Sequence, residues 1–279
     1  MDEKKLDELK EIARQSRAWI IKALAESKSG HPGGSLSAID ILTYLYFSAM
    51  NVDPQDPHFV DRDRFVLCKG HGAPALYTSL AMKGFFPKED LLTLRKLGSR
   101  LQGHPDMRKL PGVDASTGSL GQGLSIANGM ALAGKLDNKS YTVYAILGDG
   151  EMEEGQVWEA AMTASHYQLN NLIAFLDYNH LQIDGRIEDV KSGGNFASRF
   201  KAFGWHVLEI DGHDFKAIDE AVLAAKQELY APSMIIAHTV KGKGVPFMEG
   251  AVEWHGKAPN KEQTAEALKF LGALKEDGR

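Results

Sequence analysis

An acid and an amide, each placed just beyond an apolar run, are the residues best suited to chemistry in this sequence. The first run, Thr142-Val143-Tyr144-Ala145-Ile146-Leu147, opens onto Gly148-Asp149-Gly150. The second, Asn171-Leu172-Ile173-Ala174-Phe175-Leu176, ends at Asp177-Tyr178-Asn179. Both are apolar and β-branched enough for buried strands, and a helical stretch, residues 153–169, separates them. That order predicts neighbouring parallel strands, with Asp149 and Asn179 leaving the same end of the sheet. Ligands of open α/β sheets bind at that end. A carboxylate and an amide oxygen are hard donors that suit Mg²⁺, which completes its octahedron with phosphate and water. The glycines beside Asp149 clear side chains from the path of a bulky anion. The chemistry implied is the holding of a metal-bound diphosphate. The pair Asn170-Asn171 stands at the head of the second strand and falls at the wrong end of the sheet.

Histidines form the second group. His31 lies in Ser29-Gly30-His31-Pro32-Gly33-Gly34, His71 in Lys69-Gly70-His71-Gly72 and His104 in Gly103-His104-Pro105. Each stands beside glycine in its own loop, and core packing does not explain three such placements. An imidazole takes and gives protons near neutral pH, so a cluster of them suits acid–base work. Thr117-Gly118-Ser119-Leu120-Gly121-Gln122-Gly123 opens a helix and permits close approach of an anion. No Gly-Lys-Ser/Thr follows, so it is not a Walker loop. Singly, each of these residues also has a plain structural reading: a capping His31, a helix-start His71, a solvated Lys241. His213, in Asp211-Gly212-His213-Asp214, is read as an ordinary loop or cap residue.

Gly148-Asp149-Gly150 followed after about thirty residues by Asn179 resembles the thiamine diphosphate motif. The residues around it, through Glu154-Gly155 and on to Asn179-His180-Leu181-Gln182-Ile183-Asp184-Gly185, resemble the transketolase family in particular. The Ser-Gly-His-Pro-Gly turn at His31, Asp61-Arg62-Asp63-Arg64-Phe65 before the Gly-His at His71, and Trp254-His255-Gly256 add to the likeness. Ser119 stands where that family commonly has proline.

The resemblance implies a thiamine diphosphate- and Mg²⁺-dependent transferase that moves a two-carbon ketol unit from a ketose phosphate to an aldose phosphate. It implies catalytic roles for His31 and His255 near the reacting hydroxyls, and for His104 at the donor's hydroxyl end. Asp149, Asn179 and the Leu181 carbonyl would hold the metal. His71, Gly118, Ser119, Leu120, Gly150, Asn179, Lys241 and His255 would line the cofactor. Glu154 and Glu159 match glutamates at the family's subunit interface. The likeness spans nearly the whole chain but only the first portion of a full transketolase. The pyrimidine-binding half of the site is therefore expected from a separate C-terminal subunit, with two copies of each chain in a heterotetramer of the pentose phosphate pathway. Alternatives are a component of another thiamine diphosphate enzyme, such as a deoxyxylulose-phosphate synthase-like or sulfosugar transketolase, or a non-catalytic Mg-diphosphate module.

The elements that must position these groups follow from periodicity. Helices are expected over about residues 3–27, from Ser35, from Pro74, over 88–97, 124–136, 153–169, 195–203, after His213 and from Asn260. Strands are expected at 64–68, 142–147, 171–176, 205–210 and 233–239. Gly30 is read as the cap of the first helix, and residues 184–196 as a polar loop. The fold class is α/β, a doubly wound, mostly parallel sheet with helices on both faces. Residues 1–258 form the diphosphate- and metal-binding domain, and 259–279 a C-terminal helix and tail. With 279 residues, 43% of them hydrophobic and 25% charged, the chain is ordinary for a globular protein, and a net charge of −5 offers no basic face for nucleic acid. A lone cysteine, Cys68, forms no intrachain disulfide, and no signal or membrane span is visible, so a cytoplasmic location is expected.

Overall fold

The two central strand runs, residues 143–147 and 172–176, are apolar at every position because both faces of the sheet are covered there. The computed structural model describes residues 1–274. In it, α1 (Glu3–Ser27) and α2 (Pro32–Tyr44) precede β1 (Arg64–Leu67), α3 (Ala73–Lys83), α4 (Gly123–Leu136) and β2 (Val143–Gly148). Then follow α5 (Gly155–His166), β3 (Leu172–Tyr178), α6 (Ile187–Lys191), α7 (Phe196–Ala202) and β4 (His206–Asp211). The last elements are α8 (Phe215–Gln227), β5 (Ser233–His238) and α9 (Lys261–Phe270). The five strands run in the order β1-β2-β3-β5-β4, all neighbours parallel.

Alternate residues of one strand enter different cores. Tyr144, Ile146, Ile173 and Phe175 pack with α1, α2, α3 and α8. Val143, Ala145, Leu147, Leu172 and Ala174 pack with α4, α5 and α7. From β2 to β3 the chain moves one way along the sheet, and from β4 to β5 the other. Right-handed crossovers therefore put α5 and α8 on opposite faces. This is the doubly wound α/β arrangement expected.

Several boundaries differ from the sequence expectation. The second helix begins at Pro32, not Ser35, because proline is tolerated at the first helical position, where no N–H is needed. Lys28, with φ 53°, caps α1 in place of Gly30. The stretch expected as a helix over 88–97 is a 3₁₀ turn, Lys88–Thr93; its buried anchors Leu91 and Leu94 are three apart, the period of that turn. A 3₁₀ turn, Gly150–Glu153, precedes α5, so the helix starts at Gly155 and ends at His166. The loop at 184–196 contains the short α6. The C-terminal helix, capped by Asn260, packs through Ala267 and Leu268 into the core that holds α1, so its apolar side chains cover the chain's own helices. The expected tail, Lys275 to Arg279, lies outside the described residues.

Candidate functional site at the carboxyl ends of the strands

The β2–β3 register fixes the first two groups. Gly148 pairs with Asp177, so Asp149 and Asn179 leave adjacent strands within two residues of that rung. They line a cleft of about 320 Å³ with Gly150, Leu181, Lys241, Gly118 and Leu120. His31, His71 and His255 complete its wall. A larger cleft of about 910 Å³, between α1 and α9, is lined by Trp19, Lys22, Pro259 and Leu268 and gathers no comparable set of groups.

The three imidazoles come from loops far apart in the chain, yet form a nearly equilateral cluster. Their ring centroids are 5.2 Å (His31–His71), 5.4 Å (His31–His255) and 5.3 Å (His71–His255) apart. Burial lowers each pKa: His31 to about 4, His71 to about 2 and His255 to about 3, with neighbouring cations adding to the effect. All three are therefore neutral bases at physiological pH. The Nδ1 of His31 is buried and has no partner within the described residues.

The sign of the pH effect follows. Unfolded imidazoles take up protons near 6.5, whereas the folded His31 resists until about 4. Its contribution to stability is complete above pH 6.5 and is lost progressively as pH falls toward 4. Thermal unfolding of the cofactor-free chain between pH 7 and pH 4.5 should show a steeper loss for the natural protein than for His31→Gln. Equal slopes would mean that the His31 imidazole titrates alike in both states.

At the position expected for a metal, Asp149 Oδ1 accepts from Gly150 N at 2.9 Å, whereas Oδ2 is buried with no partner among the described residues. Burial, then the nearby Asp177 carboxylate, raises the Asp149 carboxyl to about 6, opposed by Lys241. Such an oxygen is stabilised by a cation. Asn179 Oδ1 accepts from Leu181 N at 3.2 Å, and the Leu181 carbonyl accepts from Lys241 Nζ at 3.0 Å. An ammonium thus already sits on the carbonyl expected to face a metal. One carboxylate, one amide and one carbonyl fit a Mg²⁺ ion that takes its remaining ligands from a diphosphate. No cluster of three His, Cys, Asp or Glu suited to a metal exists among the described residues.

Gly118 has φ +146°, a conformation L side chains rarely adopt, and a Cβ there would lie 3.0 Å from the His104 ring. Glycine there lets the His104 ring pack directly against the loop backbone. His104 and Ser119 are not part of the cleft wall; both are exposed at its rim. Glu154 caps α5 and lines the cleft, and Glu159 lies little more than one helical turn further on.

Sequence reasoning missed the floor. Lys69 and Asp177 form a fully buried ion pair beneath the cleft. Ser37 Oγ donates to Asp177 Oδ2 at 2.6 Å and Thr239 Oγ1 donates to Oδ1. Glu151, also buried, accepts from Gly121 N at 2.9 Å and Gly148 N at 3.1 Å, tying the 117–123 loop to the end of β2. A lysine and an acid each closing a buried strand was the available signal, because such charges are rarely buried unpaired.

Comparison with known proteins bears on the family and the fold. The family model described as "Transketolase, thiamine diphosphate binding domain" matches residues 9–277. A 6-deoxy-6-sulfo-D-fructose transketolase subunit of Clostridium sp. is 47% identical over 271 residues, covering 97% of this chain and 98% of the relative. One of the subunits of the apulose-4-phosphate transketolase of Phocaeicola vulgatus is 43% identical, covering 92% of this chain and 91% of the relative. Human transketolase is 43% identical over 97% of this chain, which spans only 43% of that protein. The transketolase structure from Leishmania mexicana superposes with a TM-score of 0.90 at 31% identity, covering 96% of this chain and 43% of its own.

Proposed function

The chain belongs to the thiamine diphosphate-binding family of transketolases, and from that premise we propose that it is the diphosphate-binding subunit of a two-chain enzyme of the pentose phosphate pathway. It is a thiamine diphosphate-dependent transferase, and its relatives of matching length are named as subunits, so activity depends on a partner subunit. The partner contributes the pyrimidine-binding half of the site, and two copies of each chain assemble as a cytoplasmic heterotetramer. Residues 1–258 form the diphosphate domain, and the segment from 259 adds the helix α9. Among the described residues no helix is long and apolar enough to cross a membrane.

The observation that carries the site reading is the single cleft that gathers Asp149, Asn179, Leu181, Lys241 and three neutral histidines at the strand ends. Asp149, Asn179 and the Leu181 carbonyl hold Mg²⁺. His71, Gly118, Leu120, Gly150 and Lys241 line the diphosphate, and Ser119 approaches it from the rim. His31 and His255 hold and move protons at the hydroxyls of the sugar, and His104 at the rim binds the donor's hydroxyl end. When bound, thiamine diphosphate supplies the carbon chemistry of the two-carbon transfer. The donor is a ketose phosphate and the acceptor an aldose phosphate.

A second reading has its own support. The 47% identity to a sulfosugar transketolase subunit favours a sulfonated ketose as donor. The test is reconstitution: this chain and its partner, separately and mixed, with thiamine diphosphate, Mg²⁺, ribose 5-phosphate and either xylulose 5-phosphate or 6-deoxy-6-sulfofructose. Activity is expected only in the mixture. Turnover by this chain alone would refute the divided site, and turnover with the sulfonated donor only would select the second reading.

A further inference from the structure

Lys241 reaches the Leu181 carbonyl and His255 Nδ1 (2.9 Å) from an irregular loop, and irregular backbone needs anchors to present a side chain reproducibly. Four successive residues of that loop are anchored. Val240 N donates to His213 Nε2 at 2.9 Å. The Lys241 carbonyl accepts from Gly250 N at 2.9 Å, and Gly242 N donates to Gly33 O at 3.0 Å. The Lys243 carbonyl accepts from Arg17 Nε at 3.0 Å. The fit is close: a Cβ on Gly33 would lie 2.8 Å from Lys241 Cγ.

Two of these anchors, one on either side of Lys241, come from one buried network that does not touch the cleft. Arg17 of α1 grips Asp40 of α2 with both terminal nitrogens, at 2.9 and 2.6 Å. His213, in the turn between β4 and α8, meets Asp40 Oδ2 through Nδ1 at 2.7 Å. Because its Nε2 accepts the Val240 N–H, the ring must carry its proton on Nδ1 and donate to the carboxylate. Burial of Asp40 would raise its carboxyl; Arg17 and His213 outweigh that and hold it below the usual range. The ring orientation is thereby locked at one nitrogen by Asp40 and read at the other by the loop. A carboxylate–histidine pair set behind a site residue is a familiar orienting device.

We propose that Arg17, Asp40 and His213 are positioning residues that fix the backbone on both sides of Lys241 and so set its ammonium, and through it the affinity for thiamine diphosphate. This rests on the reading of Lys241 as a cofactor-lining group, and the test separates the two. In the assembled enzyme with Mg²⁺, thiamine diphosphate affinity is measured by calorimetry for the natural protein, His213→Ala, Lys241→Met and the double variant. His213→Ala should weaken binding about ten- to a hundredfold, Lys241→Met at least as much, and the double variant no more than Lys241→Met. His213→Gln, whose amide oxygen can reach the position of Nε2, should recover most of the loss. His213→Asn, which keeps the Asp40 contact but not the Val240 one, should not, and it serves if the alanine variant fails to fold. A His213→Ala loss of equal size in both backgrounds, or a lowered Tm with unchanged affinity, overturns the positioning role while leaving Lys241 in the site. Unchanged affinity in Lys241→Met overturns the reading of Lys241 itself and the positioning role with it.

Discussion

Replacing Asp149 with alanine is expected to abolish metal-dependent binding of thiamine diphosphate while leaving the fold intact. The carboxylate is 3% exposed, and one of its oxygens has no partner among the described residues. In the cofactor-free chain it is therefore a cost, raised to about 6 by burial and the neighbouring Asp177. Its removal should leave the Tm of the cofactor-free chain unchanged or higher, and should weaken loading with Mg²⁺ by more than about a hundredfold, beyond the usual effect of residues behind a metal ligand. A ligand must be deprotonated to hold a metal, so loading of the natural protein should also weaken as pH falls through about 6. Titration of both proteins with the cofactor, with and without Mg²⁺, checks this. Equal affinity with and without the carboxylate removes the metal assignment.

His31→Ala is expected to act on turnover and to leave cofactor affinity nearly untouched. The ring lines the cleft, packs against His71 and His255, and is held neutral by burial with a pKa of about 4. A neutral imidazole so placed can take a proton from a sugar hydroxyl, and loss of a general base costs roughly 10²–10⁴-fold in rate. His31→Ala should thus lower kcat by that factor, with little change in the Kd for thiamine diphosphate. A parallel fall in affinity would make His31 a cofactor-binding residue instead.

Much of this site could be read from the sequence because its residues follow strands. Runs such as Tyr144-Ala145-Ile146-Leu147 announce a sheet buried on both faces, and whatever leaves their carboxyl ends is placed by the sheet's geometry. Asp149 and Asn179 needed no more than that. The pairings were not legible. Lys69 meets Asp177 across 108 positions, and His213 meets Asp40 across 173. No local pattern records such partnerships, so His213 read as an ordinary turn residue although it is tied into a buried network. The 88–97 stretch failed for a different reason: its two buried leucines suit a 3₁₀ turn and cannot specify a helix unaided.

The ion pair under the cleft carries an electrostatic consequence. Lys69 lies at the cleft floor, yet Asp177 cancels its charge. Among the described residues lining the cleft, the lysine left uncancelled is Lys241, and that amine is itself held down to about 8 by burial. A diphosphate seated there would therefore depend for much of its charge balance on the divalent ion it brings with it.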